Sequence, residues 1–333
     1  MVAFKVMTWN LENLFPPGTP SGPNTQGEYT QKLASLAETI LALNPDVLAV
    51  QEVGGTDPFE DLVAKLQGRY PHIQLSRQPD KRGIRVGFLS KLAIEDQDEI
   101  VDFPPDGLPN VPSIDSEGNL DQSTRFSRGA VQILVRPKQD FPVHLVTAHL
   151  KSKLLTFPSR SGGPRFSTND ENERARIAGI ALLQRTAEVI ALRVRANEIL
   201  ESNPQPALVL LGDLNDVTDA ATTQILHGPP GSEIGTRGFD QADKGDRARL
   251  FNLAPLIPEQ RQFSRVYKGN GELIDHILVS EELLPGQPRR VPEVDSHVNM
   301  LGSLPSISDN PSLRQSESRS DHAPITAIFE IND

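Results

Sequence analysis

The chain has 333 residues, 33 Lys and Arg against 44 Asp and Glu for a formal net charge of −11, 37% hydrophobic residues and no cysteine. The missing cysteines exclude disulfides, thiolate metal sites and a thiol nucleophile, and no apolar run approaches the roughly 20 residues needed to span a membrane. The acidic balance works against holding a long polyanion through many phosphate contacts, so where the basic residues fall matters more than their sum.

Residues 2–9 read as a β-strand from their content and length, and they run directly into Asn10. No leader pattern precedes that strand, which sets the expectation of a cytoplasmic protein. Residues 28–43 place Tyr29, Leu33, Leu36, Ala37, Ile40 and Leu41 on one helical stripe that stops at Asn44-Pro45. A short apolar strand at 47–50 leads into Gln51-Glu52, and a short helix at 58–67 follows the start signal Thr56-Asp57. Strands are expected at 84–89, 130–135 and 143–148, the last closing on His149. A long helix at 169–200 carries i, i+4 charge pairs on its exposed face. The buried strand 208–211 runs into Gly212-Asp213-Leu214-Asn215. Strand 273–279 contains Asp275-His276, and Ser320-Asp321-His322 precedes the last strand at 324–331. Early strands alternate with helices and later ones resemble hairpins, which points to a mixed sheet system.

Residues 16–26, 103–124, 156–168, 228–238 and 285–319 are rich in Pro, Gly and Ser and lack periodicity. The last, about thirty-five residues, exceeds the usual loop length; such a loop is a functional lid or disordered, and its place before His322 suggests a rim. The polar signatures run from Asn10 to His322, so one site recruits both ends of the chain. A single domain over 1–333, acting as a monomer, is the expectation.

Strand after strand ends in a residue able to do chemistry, and loops at strand ends are where a rigid sheet presents such groups to solvent. Glu52 offers a lone carboxylate suited to a hard cation, or to a cap or salt bridge. Strand alternation points Asp213 and Asn215 the same way, so that an acid orients or deprotonates a water while an amide donates to a phosphoryl oxygen; the alternative is an Asx-type turn. His149 is followed by Lys151 and Lys153, donors suited to an anionic oxygen. Asp275 and Asp321 each neighbour a histidine, His276 or His322, and a carboxylate that fixes a histidine tautomer is a recurrent pairing; spacing does not say which pairs with which. Between 122 and 169 the only acid is Asp140, whereas Arg125, Arg128, Arg136, Lys138, Lys151, Lys153, Arg160 and Arg165 all lie there. That window is either a solvated basic face or a phosphate-binding wall. No Gly-x-Ser-x-Gly elbow or His-Glu-x-x-His motif is present, which turns the reading from acyl transfer to hydrolysis at phosphorus.

In order, Thr8-Trp9-Asn10-Leu11, Gln51-Glu52, Ser127-Arg128-Gly129, His149-Leu150, Gly212-Asp213-Leu214-Asn215, Asp275-His276-Ile277 and Ser320-Asp321-His322 resemble the endonuclease/exonuclease/phosphatase superfamily, deoxyribonuclease I-like in fold. The resemblance spans nearly the whole chain. It implies an α+β four-layer α/β/β/α sandwich of two packed mixed sheets, with a Mg²⁺ (or Mn²⁺) hydrolase site at one edge. By that likeness Glu52 is the principal metal ligand, helped by Asn10 and Asp321. Asp213 orients the attacking water, Asn215 holds the phosphate, and His322, oriented by Asp275, acts as base or transition-state donor. His149 matches a second active-site histidine, with Arg128 and Lys151 added as phosphate contacts. The expected substrate is nucleic acid, cut as a phosphodiester; the alternative is a small phosphorylated metabolite or a lipid headgroup. Two departures narrow the choice. The only tyrosines are Tyr29, Tyr70 and Tyr267, unlike the abasic-site endonucleases, and Leu273-Ile274-Asp275-His276 stands where inositol polyphosphate 5-phosphatases carry Trp-Cys-Asp-Arg. The stretch from His149 to Lys153 with the Arg-rich helix after it looks most like a bacterial branch of the superfamily. The carboxylate partner expected for His149 is not found around 84–90.

Overall fold

The structure, a computed structural model, describes residues 1–106, 108, 111–114, 119–157, 165–202, 206–228, 231–239, 248–284, 290–300 and 302–331. Two six-stranded sheets form the frame. The first runs, in spatial order, Arg290–Ser296, Ile325–Ile331, Val2–Leu14, Val47–Val53, Arg85–Ser90, His72–Leu75. The second runs Leu250–Asn252, Asp275–Ser280, Ala207–Asp213, Phe141–His149, Arg125–Lys138, Asp96–Asp102. Both are mixed: Val2–Leu14 is parallel to Val47–Val53, and Ala207–Asp213 is parallel to Phe141–His149. Each parallel pair is joined through a helix, Gln26–Leu43 in the first sheet and Glu171–Leu200 in the second.

The layer order follows from alternation along single strands. Val209 and Leu211 point into a core shared with Phe4, Val6 and Phe329 of the first sheet, so the sheets pack face to face. Leu208 and Leu210, on the opposite face, pack with Ala187, Leu192 and Ala196 of the long helix. On the far side, Met7, Trp9, Leu48 and Val50 pack with Leu33, Leu36 and Ile40 of the first helix and with Phe59 and Leu62 of helix Thr56–Lys65. Helix, sheet, sheet, helix is therefore the α+β sandwich that the motif order implied. It also explains why 47–50 and 208–211 are wholly apolar, since these strands are buried on both faces.

The predicted helices are present with recognisable ends. Thr25 and Glu28 form a reciprocal capping box on the first, which stops at Asn44 in the left-handed region, and Asp170 caps the long one. On the long helix Arg174 pairs with Glu171 and Arg195 with Glu198, both at i, i+3 spacing where i, i+4 was expected. Strand bounds differ more. The first strand continues past Asn10 to Leu14 through an irregularity where Glu12 and Asn13 take φ of 49° and 53°, and its neighbour continues through Glu52 at φ 62°. Edge strands His72–Leu75 and Asp96–Asp102 escaped the sequence reading because neither carries a buried apolar stripe. The stretch 285–319 is not structureless where it is described. Arg290–Ser296 pairs with Ile325–Ile331 as a sheet edge, and a 3₁₀ turn spans Pro311–Arg314. Likewise 103–124 holds the hairpin Val111–Ile114 with Leu120–Ser123. Parts of 103–124, 156–168, 228–238 and 285–319, Arg160 among them, lie outside the described residues.

Candidate active site

Register brings the polar signatures to one edge of the sandwich. Asp213 lies directly opposite His149 on one neighbouring strand and opposite Asp275 on the other. Asn10 is level with Gln51 in the other sheet, so Glu52 emerges beside it. The segment before the last strand closes the site from above: Ser320 Oγ donates to the Asn10 carbonyl at 2.7 Å, and Trp9 Nε1 donates to the His322 carbonyl at 2.8 Å.

The question of which acid pairs with which histidine is settled by distance. Asp275 Oδ2 lies 2.7 Å from His322 Nδ1, and both side chains are buried. His276 turns the other way, with Nδ1 at 3.0 Å from Asn252 Nδ2 and Nε2 at 2.9 Å from the Asp216 carbonyl. Burial lowers the pKa of His276, so it is neutral, accepting from Asn252 and donating to Asp216. Burial acts against a charge on His322 as well, but Asp275, with Asp321 and Asp213 behind it, raises its pKa to about 10. His322 is thus an imidazolium at neutral pH, with Nδ1 committed to Asp275.

Asp213 is held on both oxygens. Oδ2 accepts from Asn10 Nδ2 at 3.0 Å and Oδ1 accepts from the Asn215 backbone N–H at 2.9 Å. The second bond is an Asx-type turn, so both sequence readings of this motif coexist: one oxygen shapes the loop and the other faces the site. Burial and the nearby Asp275 push the Asp213 carboxyl up to about 6, against the pull of His322 and Asn10. Asn215 has φ 53° and donates one amide hydrogen to the Leu150 carbonyl at 2.9 Å, which leaves its second for a ligand.

His149 Nε2 is 3.4 Å from Asp213 Oδ2 and 3.9 Å from Glu52 Oε1. Its Nδ1 has no partner among the described residues. Burial, then the charges of Arg128, His322, Arg82 and Lys151, lower its pKa and hold it neutral.

The three residues expected to hold a metal, Glu52, Asn10 and Asp321, share one local network of backbone hydrogen bonds around residues 10–13. Glu52 Oε2 accepts from the Asn13 N–H at 2.8 Å, and Asn10 Oδ1 accepts from the Glu12 N–H at 2.9 Å. The Asp321 N–H donates to Glu12 Oε2 at 2.8 Å. Two carboxylates and an amide oxygen are the all-oxygen donor types that suit a hard divalent cation. A group of ligand-type atoms within 4.8 Å of one another comes from Asp213, Asp275 and His322. An imidazolium bonded to Asp275 has no lone pair to give, so that group suits proton handling better than coordination.

The basic window is not a continuous wall. Arg125 pairs with Asp102, Arg136 with Glu95, Lys138 with Asp140, Lys153 with Asp216 and Arg165 with Glu173. The neutralising acids come mostly from other segments, which the linear window could not show. Arg128 and Lys151 behave differently. Arg128 is 5% exposed and meets Asp80 at 3.3 Å through Nη2, while its Nε and Nη1 are partnerless among the described residues. Burial and the charges of Arg128 and Arg82 lower the Lys151 ammonium to about 8, against Glu188 and Asp80.

Several supporting residues were not singled out from sequence. Glu188, fully buried on the long helix, accepts from the Ser127 N–H, the Ser127 hydroxyl and the Lys151 N–H at 2.9, 2.5 and 2.7 Å. Glu12 takes a two-bond grip from Arg314 at 2.6 and 2.8 Å, and Lys32 donates to the Glu12 carbonyl. Burial lowers the Lys32 pKa against the pull of Glu12, Asp321 and Glu52. Lys32 sits on the apolar stripe three residues after Tyr29 and four before Leu36, a signal that could have found it.

A sequence model of the Endonuclease/Exonuclease/phosphatase family matches residues 7–322. A search of curated proteins finds no match. Among solved structures the chain is similar to an endonuclease/exonuclease/phosphatase family protein from Leptotrichia buccalis, with a TM-score of 0.56 and 16% identity over 98% of this chain and 100% of that one. It is similar to truncated TDP2 from Caenorhabditis elegans, with a TM-score of 0.52 and 17% identity over 98% and 97%. ANGEL2, a 2′,3′-cyclic phosphatase seen with adenosine-2′,3′-vanadate, has a TM-score of 0.56 and 12% identity over 98% and 95%. At these identities the structures establish a shared fold.

Proposed function

Because the chain belongs to the Endonuclease/Exonuclease/phosphatase family, a family of phosphoester hydrolases, we propose that it is a divalent-metal-dependent phosphodiesterase acting on nucleic acid through a single catalytic domain. The observation that carries this reading is the buried Asp275–His322 pair at 2.7 Å beside Asp213, on an edge that also presents Asn10, Glu52 and Asp321. These last three would hold Mg²⁺ or Mn²⁺, which when bound supplies positive charge to phosphoryl oxygens and acidifies water.

The remaining work falls to the chain. Asp213, ionised above about pH 6, orients the attacking water and draws its proton. His322, cationic up to about pH 10, donates from Nε2 to a phosphoryl oxygen as charge accumulates in the transition state, with Asp275 fixing the ring. Asn215 offers its free amide hydrogen to the same group. His149, neutral and close to Asp213, hydrogen-bonds without changing the charge of the site. Arg128 and Lys151 supply cationic phosphate contacts.

A second reading, a phosphatase or phosphodiesterase for a small phosphorylated metabolite or lipid headgroup, is favoured by the net charge of −11 and by the pairing of most of the basic window with acids. The deciding experiment is activity of purified protein with Mg²⁺ or Mn²⁺ on DNA, RNA, a generic phosphodiester and phosphomonoesters, with His322→Ala as control. Turnover of monoesters alone selects the second reading, and equal activity in His322→Ala removes both.

A further inference from the structure

One group of cations lies beyond the residues that frame the reacting phosphate. In the second sheet, Asp213 and His149 occupy adjacent strands, and Arg125–Lys138 is the next strand outward. Its antiparallel register, Val131 opposite Thr147, extends to bring Gly129 level with His149 and Arg128 one position beyond, level with Leu150. The Arg128 backbone is therefore two strand spacings from Asp213, about 10 Å. Its guanidinium is held by Asp80, which belongs to a loop of the other sheet. The same carboxylate accepts the backbone N–H groups of Arg82 and Ile84 at 2.8 and 2.9 Å, so the Arg82 loop is pinned beside Arg128. From the opposite side, Glu188 binds the amides of Ser127 and Lys151 and brings Lys151 to the same place.

Three cations gather there against two acids, and Glu188 is spent on three local donors. Buried donors without acceptors are rare in folded proteins, yet Nε and Nη1 of Arg128 have none among the described residues. A planar guanidinium fork beside an ammonium suits an oxyanion with several acceptor oxygens. These donors rise from the strand beyond His149, whereas Asp213 lies on the strand on the other side of it.

We propose that Arg82, Arg128 and Lys151 form a second anion subsite that takes a phosphate close to, but distinct from, the scissile one, so that preferred substrates carry two neighbouring phosphates. This deepens the phosphodiesterase reading and rests on it for the bond that is cut. It also reconciles that reading with the acidic chain, because a two-phosphate contact needs only a short basic patch.

The test uses binding and turnover separately. With EDTA present to stop hydrolysis, calorimetry compares thymidine 3′,5′-bisphosphate with the 3′- and 5′-monophosphates on wild type and on Arg82→Ala, a substitution at an exposed side chain. The bisphosphate binds about tenfold more tightly than either monophosphate to wild type, and most of that margin disappears in Arg82→Ala. Turnover of bis(p-nitrophenyl) phosphate, which has one phosphate only, is unchanged in the same variant. Equal binding of bisphosphate and monophosphates by wild type overturns the subsite, as does a margin that survives Arg82→Ala. A wild type that hydrolyses no phosphodiester but keeps the binding margin supports the subsite and defeats the phosphodiesterase reading.

Discussion

The Asp275 carboxylate and the His322 imidazole meet at 2.7 Å across 47 positions of sequence, in a pocket where both side chains are almost fully buried. A strand of the second sheet supplies one partner and the approach to the last strand of the first sheet supplies the other, so the pair exists only when the two sheets are packed. Removing the imidazole in His322→Ala removes the cationic donor, and kcat falls by about 10²–10⁴-fold. Asp275→Asn keeps the shape but no longer stabilises the imidazolium; kcat falls less, and the alkaline limb of the pH profile moves down. Steady-state kinetics at saturating metal checks both, and an Asp275→Asn profile that matches wild type removes Asp275 from its positioning role.

The pH profile follows from the signs of two shifts. Asp213 works as its carboxylate, and burial beside Asp275 puts its pKa at about 6, so activity rises with pH through that value. His322 works as its cation, and Asp275 puts its pKa at about 10, so activity is lost as pH rises through that value. The result is a plateau between about pH 6 and 10. Lys151 adds a separate feature: its ammonium titrates near 8, so KM for a phosphate-rich substrate climbs above that pH while kcat stays level. A kcat that declines from pH 7 upwards contradicts the assignment of His322 as donor.

The metal assignment has a readout built into the chain. Trp9 is the single tryptophan, next to Asn10 in sequence and bonded through Nε1 to the His322 carbonyl. Binding of Mg²⁺ or Mn²⁺ at Asn10, Glu52 and Asp321 shifts its fluorescence, and Glu52→Gln raises the metal concentration at half-effect by at least about tenfold. An unchanged titration in Glu52→Gln places the metal elsewhere, the Asp213, Asp275 and His322 group being the first place to look.

What the sequence disclosed and what it withheld have different physical origins. Strand ends were legible because alternation and apolar runs mark where a buried strand reaches solvent, and Asp213, His149 and Asp275 all lie at such ends. The separation of His276 from His322 was not legible, because adjacent strand residues face opposite ways and only packing says which face is the site. The basic window misled for a related reason: the acids Asp102, Glu95, Asp216 and Glu173 that neutralise it come from outside the window. Glu188 looks like one more charge on a charged helix, and only its depth shows that it fastens two strands' ends. Arg314 lies in a stretch without periodicity, so nothing local marks it.

Arg314 is nevertheless a test of how the edge is held. Its guanidinium makes two bonds to Glu12, at 2.6 and 2.8 Å, and the same Glu12 carboxylate receives the Asp321 N–H. The 3₁₀ turn at Pro311–Arg314 is thereby fastened to the first strand two residues after Asn10. Arg314→Ala strips a buried carboxyl of both guanidinium bonds, and because Glu12 can take up a proton the loss is that of buried hydrogen bonds, about 1–3 kcal/mol. Glu12 already sits high, at about 8, because of burial and Asp321, with Arg314 and Lys32 opposing; losing Arg314 raises it further. The expected outcome is a clearly lower Tm and a weaker metal response, because Asp321 is no longer held in place. Pairing Glu12→Gln with Arg314→Met removes both charges, recovers most of the stability and leaves the metal response impaired. If the double variant regains wild-type metal titration as well, Glu12 and Arg314 stabilise the fold without positioning Asp321.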